Sequence, residues 1–482
     1  MHVMSVPNDT AQAHGTPTDA QPHPGVWATI REALAGSRQD FTAMPIRRAV
    51  PLLAIPMVLE MLMESLFAVV SIFWVARLGA EAVATVGLTE AMLSIVYALA
   101  MGLGMAGTAV IARRAGAKDQ EGASIAAVQV LLLGIAASAL ISVSAFYAVP
   151  LLRIMGASEG VIETGLGYTV LMLGGNATVT LLFILNAAFR GAGDAAIAMR
   201  ALWLANGLNI VLVPVFVYGF GPVPEMGVTG AAVATNIGRG IGVAFALWLL
   251  FSGTRRLTIA ARHWKTDGAA MATMLKIGWS ASVQMLIMSA SWIGVMRILA
   301  MYGDAALAGF TIAMRVMVFA FLPAWGTANA AATLVGQNLG AGKPDRAENS
   351  AWVAGHYNAV LLVSWGVAFL LIPEWIIGLF TSDAVVAGYA VQSLRAVSVA
   401  FPFFAYGMVL TQSFNGAGDT VTPLWLNIVW FLMFQIPVAW ILAQTLGMGP
   451  SGVFWAGTLS YMLLAATSVV LFRRGTWKSK RV

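Results

Sequence analysis

Long apolar runs broken by short polar connections set the rhythm of this chain. A helix that crosses a bilayer needs ~20 mostly apolar residues. Twelve runs qualify, roughly residues 51–75, 82–111, 123–149, 164–189, 197–219, 228–251, 271–302, 305–336, 352–380, 386–414, 421–446 and 452–472. Each is predicted to be a membrane-spanning helix. Residues 1–44 precede them as a polar N-terminal tail, and because this tail holds no apolar core of signal-peptide type, it reads as cytoplasmic and uncleaved. Within it, Trp27, Ile30 and Leu34 have the spacing of a short interfacial helix; a disordered tail is the other reading.

Composition agrees with the pattern: 59% of the 482 residues are hydrophobic and 10% are charged, unlike a soluble domain. Cysteine is absent, which excludes disulfides and thiolate metal sites. With the N-terminus inside, most Lys and Arg fall on one side, including Arg113, Arg114, Lys118, the Arg255–Lys276 connection and Arg473 to Arg481, while Arg77 and Arg153 fall on the other. The positive-inside rule then puts both termini in the cytoplasm. The net charge of +6 is accounted for by topology, and no nucleic-acid partner is expected.

A repeat organises the runs. Lys118 in RAGAKDQE returns as Lys343 in LGAGKPDR, and Asp194 in RGAGDA as Asp419 in NGAGDT, both 225 residues on; GVTGAA at Gly227 returns as GPSGVF at Gly449, 222 residues on. Six spans per half is an even number, so the halves share one orientation, related by an axis along the membrane normal. The predicted architecture is an all-α membrane protein with an N-lobe (residues 45–252), a polar linker (253–268), a C-lobe (269–472) and a basic tail (473–482). Parallel halves of this kind flank a central cavity and rock around it. The Gly-Ala-Gly-Asp segments read as tight turns in which the aspartate caps the next helix.

A membrane enzyme is the competing class. His2, His14 and His23 lie in the tail, His263 in the linker and His356 near a helix start; no pair has metal-ligand spacing, and no GxSxG or nucleotide loop appears. No cofactor is expected.

The segments PLLAIPMVLE to VARLGAEAVATVGL, the pair RGAGD and NGAGD, NIVLVPVFVYGFGPVPEMGVTGAA and ATLVGQNLGAGKPDRAE together resemble the multidrug and toxic compound extrusion (MATE) transporters over residues 45–472. The resemblance implies a twelve-helix antiporter of a bacterial cell membrane, monomeric, that exports amphiphilic, often cationic organic compounds in exchange for H⁺ or Na⁺. A flippase of lipid-linked substrates in the same superfamily, and an uncoupled or anion-preferring member, remain alternatives. Two departures bear on coupling. Where the family has VDxxxV, Val70 is followed here by Ser71; where it has NIxLDP, Asn209-Ile-Val-Leu is followed by Val213 and Pro214. Asn206 and Asn209 are amides and cannot take over the charge of a lost carboxylate.

The spans carry their own charges. Glu64 falls near the midpoint between Arg48 and Arg77, Glu60 lies one turn (~6 Å) further in on the same face, and Glu90 lies ~10 Å outward in the second span. An ionised side chain at such depth costs ~3 kcal/mol or more without a cavity or partner. Arg239 in TNIGRGIG is at the depth of Glu64 and is the expected partner of Glu64 or Glu60. A carboxylate balanced between desolvation and a neighbouring guanidinium is a candidate for proton coupling. Apart from Glu374 near the end of the 352–380 run, the C-lobe spans hold no carboxylate; Arg297, Arg315 and Arg395 lie ~8–10 Å outward of their helix midpoints, as headgroup anchors or as partners for Glu90 when the cavity faces inward. Trp292, Trp325, Trp425, Trp430 and Phe431 are candidate walls of the substrate cavity for a flat substrate, and Arg315 and Arg395 are further cavity candidates that would suit an anionic ligand.

Overall fold

A computed structural model describes residues 25–37, 39–253 and 255–480; His2, His14 and His23 lie outside them. A first helix, α1 (Val26–Ala35), precedes the N-lobe helices α2 (Ile46–Ala76), α3 (Ala80–Gly116), α4 (Gln120–Ser142), α5 (Ala148–Ile154), α6 (Glu159–Gly174), α7 (Asn176–Ala192), α8 (Ala195–Tyr218) and α9 (Gly227–Phe251). The C-lobe comprises α10 (Gly268–Ala300), α11 (Asp304–Gly340), α12 (Pro344–Leu371), α13 (Pro373–Gly378), α14 (Ala384–Ser398), α15 (Phe401–Gly416), α16 (Val421–Asn427), α17 (Ile436–Trp440) and α18 (Pro450–Arg474). Two π-helical stretches, Ile428–Gln435 and Ile441–Thr445, flank α17. Among the described residues the only β feature is one bridge, Phe220 to Val223.

Among the described residues ten helical segments are long and apolar enough to cross a membrane, and two bent pairs, α6 with α7 (40°) and α14 with α15 (60°), each counted as one span, bring the number to twelve. The bent pairs occupy the same place in each half and are followed by the repeated turns, where Gly193 (φ 90°) and Gly418 (φ 84°) take the left-handed conformation that glycine adopts without steric cost. The aspartates of these turns do not cap as expected. Asp194 makes no side-chain cap bond to α8 and accepts from the backbone N–H of Arg256 at 3.3 Å; Asp419 accepts from the Thr422 hydroxyl at 2.8 Å.

The two-fold relation is visible in the closest backbone contacts. A Cβ on Gly116 of α3 would lie 1.9 Å from the Gln337 carbonyl oxygen of α11, and one on Gly340 of α11 would lie 2.0 Å from that of Arg113 on α3. Likewise Gly102 of α3 packs on α10 at Gly278 and Ser282, and Gly326 of α11 packs on α2 at Met57 and Val58. Each contact is matched by its mirror in the other half, the signature of a self-complementary interface. Only glycine permits such approach.

Every inter-lobe hydrogen bond among the described residues lies toward the face that carries the start of α2 and the end of α18. Gln337 Nε2 donates to the Gly191 carbonyl at 2.9 Å, and Arg113 donates to the Ala417 and Lys480 carbonyls at 3.1 and 2.7 Å. The lobes are therefore locked together at this face.

The N-terminal region is not a disordered tail where it is described. Residues 26–35 are helical, and residues 37 and 39–44 form a strap across the locked face. Arg256 donates to the carbonyls of Ser37 (3.2 Å) and Gln39 (2.5 Å). Lys343 donates to that of Thr42 (2.9 Å), and Arg346 to those of Phe41 (3.1 Å) and Met44. Lys118 of the N-lobe is 3.6 Å from Asp40, so the repeat-related Lys118 and Lys343 hold the strap from opposite lobes. Phe41 is buried beneath it.

Candidate functional site

The central site grows out of α2, which places Glu60 and Glu64 on consecutive turns of one face. Glu64 Oε1 accepts from Arg239 Nη2 of α9 at 3.3 Å, and its Oε2 accepts from Asn206 Nδ2 of α8 at 2.8 Å. Gly238, beside Arg239, lets α9 approach α8 closely: a Cβ there would be 2.6 Å from the Ala205 carbonyl. The guanidinium also faces the rings of Phe67 (5.4 Å) and Tyr97 (6.0 Å), an arrangement that stabilises a desolvated cation. Its Nε and Nη1 are buried without a hydrogen-bond partner among the described residues.

Glu60 is held separately. It is almost fully buried, and its Oε1 accepts from Arg190 Nη1 at 2.6 Å and Asn186 Nδ2 at 3.1 Å, both on α7. The sequence pointed to Arg239 as the partner of Glu60 or Glu64 and read the RGAGD segment only as a turn, so Arg190 was missed. A signal was present: the repeat has Asn415 where this half has Arg190, and a charge unique to one half, near a carboxylate with no assigned partner, is a candidate for pairing.

A cavity of about 180 Å³ opens between the lobes. Its N-lobe wall includes Met61, Glu64, Thr108 and Arg190; Trp325, Asn329, Thr333 and Asn415 face them from the C-lobe. A second cavity, about 230 Å³, lies within the C-lobe and is lined by Trp292, Phe310, Phe404, Phe431 and Tyr461, with Ser291 and Gln435 as its polar members; Trp325 lines both. Trp292 stacks on Phe310 at 5.2 Å between ring centroids. Ser291 donates to the Phe431 carbonyl at 2.8 Å, which pins α10 to the π-helical stretch that forms one wall.

Other predicted site residues fall elsewhere. Asn209 donates to Thr235 at 2.9 Å, away from Glu64. Val213 sits in an apolar cluster with Val75, Leu93 and Val96, and Ser71 is half-buried on α2, two turns beyond Glu64. Glu90 is exposed and forms no ion pair among the described residues, Arg297, Arg315 and Arg395 included, in this conformation. Arg315 is exposed, and Arg395 is exposed and paired with Glu374 at 2.7 Å, so neither lines the aromatic cavity. Trp425 lines a surface groove with Trp430, whose indole N–H donates to Thr467 at 2.9 Å. These two tryptophans and two arginines are packing and surface residues because their helix faces point away from the lobe interior. No group of three or more metal-ligating side chains is found among the described residues.

The family model MatE matches residues 56–215 and 280–441, one stretch in each lobe. The chain belongs to the MatE family. It is a membrane transporter and not an enzyme. The "Probable multidrug resistance protein NorM" of Thermotoga maritima is 25% identical over 91% of this chain and 94% of its own length. The "Multidrug export protein MepA" of Staphylococcus aureus is 23% identical over 89% and 94%. A solved structure described as the "outward-facing conformation of a multidrug resistance MATE family transporter" superposes with a TM-score of 0.85 at 29% identity, covering 92% of this chain and 98% of that one.

Proposed function

We propose that this MatE-family transporter exports amphiphilic organic compounds bearing a cationic group, in exchange for protons, by alternating access. The face that carries the start of α2 and the end of α18 is then the cytoplasmic one, by the charge asymmetry of the loops, and the locked interface belongs to an outward-facing state. The observation that carries the reading is the Glu64–Arg239 contact at 3.3 Å, with the carboxylate edge of that pair on the wall of the central cavity. While ionised, Glu64 attracts a cationic substrate; its protonation from the outer side releases the Arg239 guanidinium, which then disfavours the same cation. Proton and substrate thereby exclude one another, and that exclusion is what antiport requires. The aromatic cavity across Trp325 supplies an apolar wall for the body of the substrate.

The test is proton release from the purified protein on substrate addition, with and without Na⁺. Wild type should release protons in both. Glu64→Gln should abolish release while the protein still folds, and Glu60→Gln should reduce it less. Normal, pH-dependent uphill transport by Glu64→Gln would remove Glu64 from coupling, and release that needs Na⁺ would point to the other ion.

A further inference from the structure

Two buried ion pairs stand on consecutive turns of α2, and they face the cavity with opposite sign. In the Glu64–Arg239 pair the acid is the accessible member: its side chain is 25% exposed against 3% for the arginine. In the Glu60–Arg190 pair the base is accessible, at 14% against 2% for the glutamate. Glu64 and Arg190 line the same cavity. Although each pair is neutral as a whole, the cavity wall presents a carboxylate at one level and a guanidinium one turn deeper.

Arginine carries five N–H donors, and the bond to Glu60 engages Nη1 alone, so the remaining edge can receive a second anion. The opposite wall is prepared for it. Thr333 lines the cavity with its hydroxyl buried and without a hydrogen-bond partner among the described residues, and Asn329 lies one turn away on the same helix.

We propose that the cavity selects a dipolar amphiphile, with an acidic group held at Arg190 and Thr333 and a cationic group held at Glu64. The inference rests on the export reading above and narrows its substrate class from plain cations to molecules that carry both charges. A substrate with a cation alone would leave the floor guanidinium facing an apolar end and would forgo a charge-assisted bond.

A matched pair of probes tests this. Rhodamine 110 carries a free carboxylic acid, and rhodamine 123 is its methyl ester; both carry the same cationic ring system. Binding to the purified full chain, read by fluorescence anisotropy, should favour the acid by ~10-fold or more, the range of a charge-assisted hydrogen bond. Glu60→Gln, which removes the competing carboxylate, should widen that preference. The double variant Glu60→Gln/Arg190→Gln, which buries no unpaired charge, should bring the two dyes within about twofold of each other, taken as the loss of that same bond. Thr333→Val leaves both ion pairs intact and should weaken the acid severalfold with little change for the ester. Equal affinity of the two dyes in the wild type, or an unchanged preference in the double variant, overturns the proposal while leaving export of cations standing. Failure of both dyes to bind overturns the export reading and this inference with it.

Discussion

In the N-lobe, Glu60 accepts from Arg190 at 2.6 Å; at the repeat-equivalent positions of the C-lobe, 224 and 225 residues on, Gln284 donates to Asn415 at 3.3 Å. The same contact is an ion pair in one half and an amide pair in the other. The substitution extends outward. Glu64, Tyr97 and Arg239 correspond in register to Met288, Phe321 and Tyr461, and all three of those line the aromatic cavity. The C-lobe cavity is thus the N-lobe charge site with its charges removed. The glycine contacts, by contrast, are kept in both halves. Backbone approach at a self-complementary interface constrains both copies alike, because a Cβ on either side would separate the lobes. Charge inside a membrane has a standing cost, and at these positions only the N-lobe bears it.

The largest test of this asymmetry removes one member of each pair. Arg190→Ala strands the Glu60 carboxylate and should cost ~3–5 kcal/mol, whereas Asn415→Ala should cost ~1 kcal/mol. Thermal unfolding of the two variants in detergent compares them directly, and equal losses would mean that the lobes are not electrostatically distinct. Glu60→Gln with Arg190→Asn copies the C-lobe pair into the N-lobe and should recover most of the stability.

The converse transplant is smaller in effect. Met288→Glu puts a lone carboxylate in the aromatic cavity and should destabilise the protein by ~3 kcal/mol. Adding Tyr461→Arg should restore part of that, with a coupling of ~0.5–3 kcal/mol in a double-mutant cycle. A coupling of zero would show that the equivalent positions do not meet. Smaller again, Trp325→Ala should weaken a flat aromatic ligand ~2–10-fold, the worth of one ring contact, and leave substrate-driven proton release intact at saturation. Coupled loss of both would erase the division of labour between the lobes.

The smallest effect lies on the strap. The Thr42 hydroxyl, 2.6 Å from Asp40, together with the Thr42 backbone N–H and Lys118, holds the Asp40 carboxyl below its ordinary range. A lowered carboxylate contributes its stabilisation above the ordinary range and loses it as pH falls through the lowered value. Strap docking should therefore be flat from pH 7 to about 5 and weaken below about 4. A dye attached at Gln39→Cys, in a chain with no other cysteine, reports it through iodide quenching, and Asp40→Asn should remove the drop.

Span number and the family were legible because each is written in repeated or periodic signals: apolar length, the 225-residue echo and glycine turns. The Glu64–Arg239 pairing was legible as well, because two opposite charges at equal depth in a membrane have few other partners. Arg190 was hidden by its place at a helix end next to a glycine turn, where a basic residue is ordinary. Trp425, Arg315 and Arg395 were misplaced for a different reason. Depth along a helix can be read from flanking charges, but which way a side chain faces in an apolar span cannot, since an almost uniformly hydrophobic helix leaves no polar stripe to orient it.

The strap also has a history. Residues 37–44 leave the ribosome ahead of everything they bind, and the contact of Phe41 with Arg346 spans 305 positions of chain. At ~5–20 residues per second of synthesis, the seat for Phe41 arrives about 15–60 s after Phe41 itself. In the last part of that interval, once Arg256 has been made, the N-lobe is complete while the strap has only its N-lobe and linker anchors. Docking is therefore a late event: it can happen only once the chain has been made past Arg346, and it tells a molecule that has entered its second half from one that stops after the first.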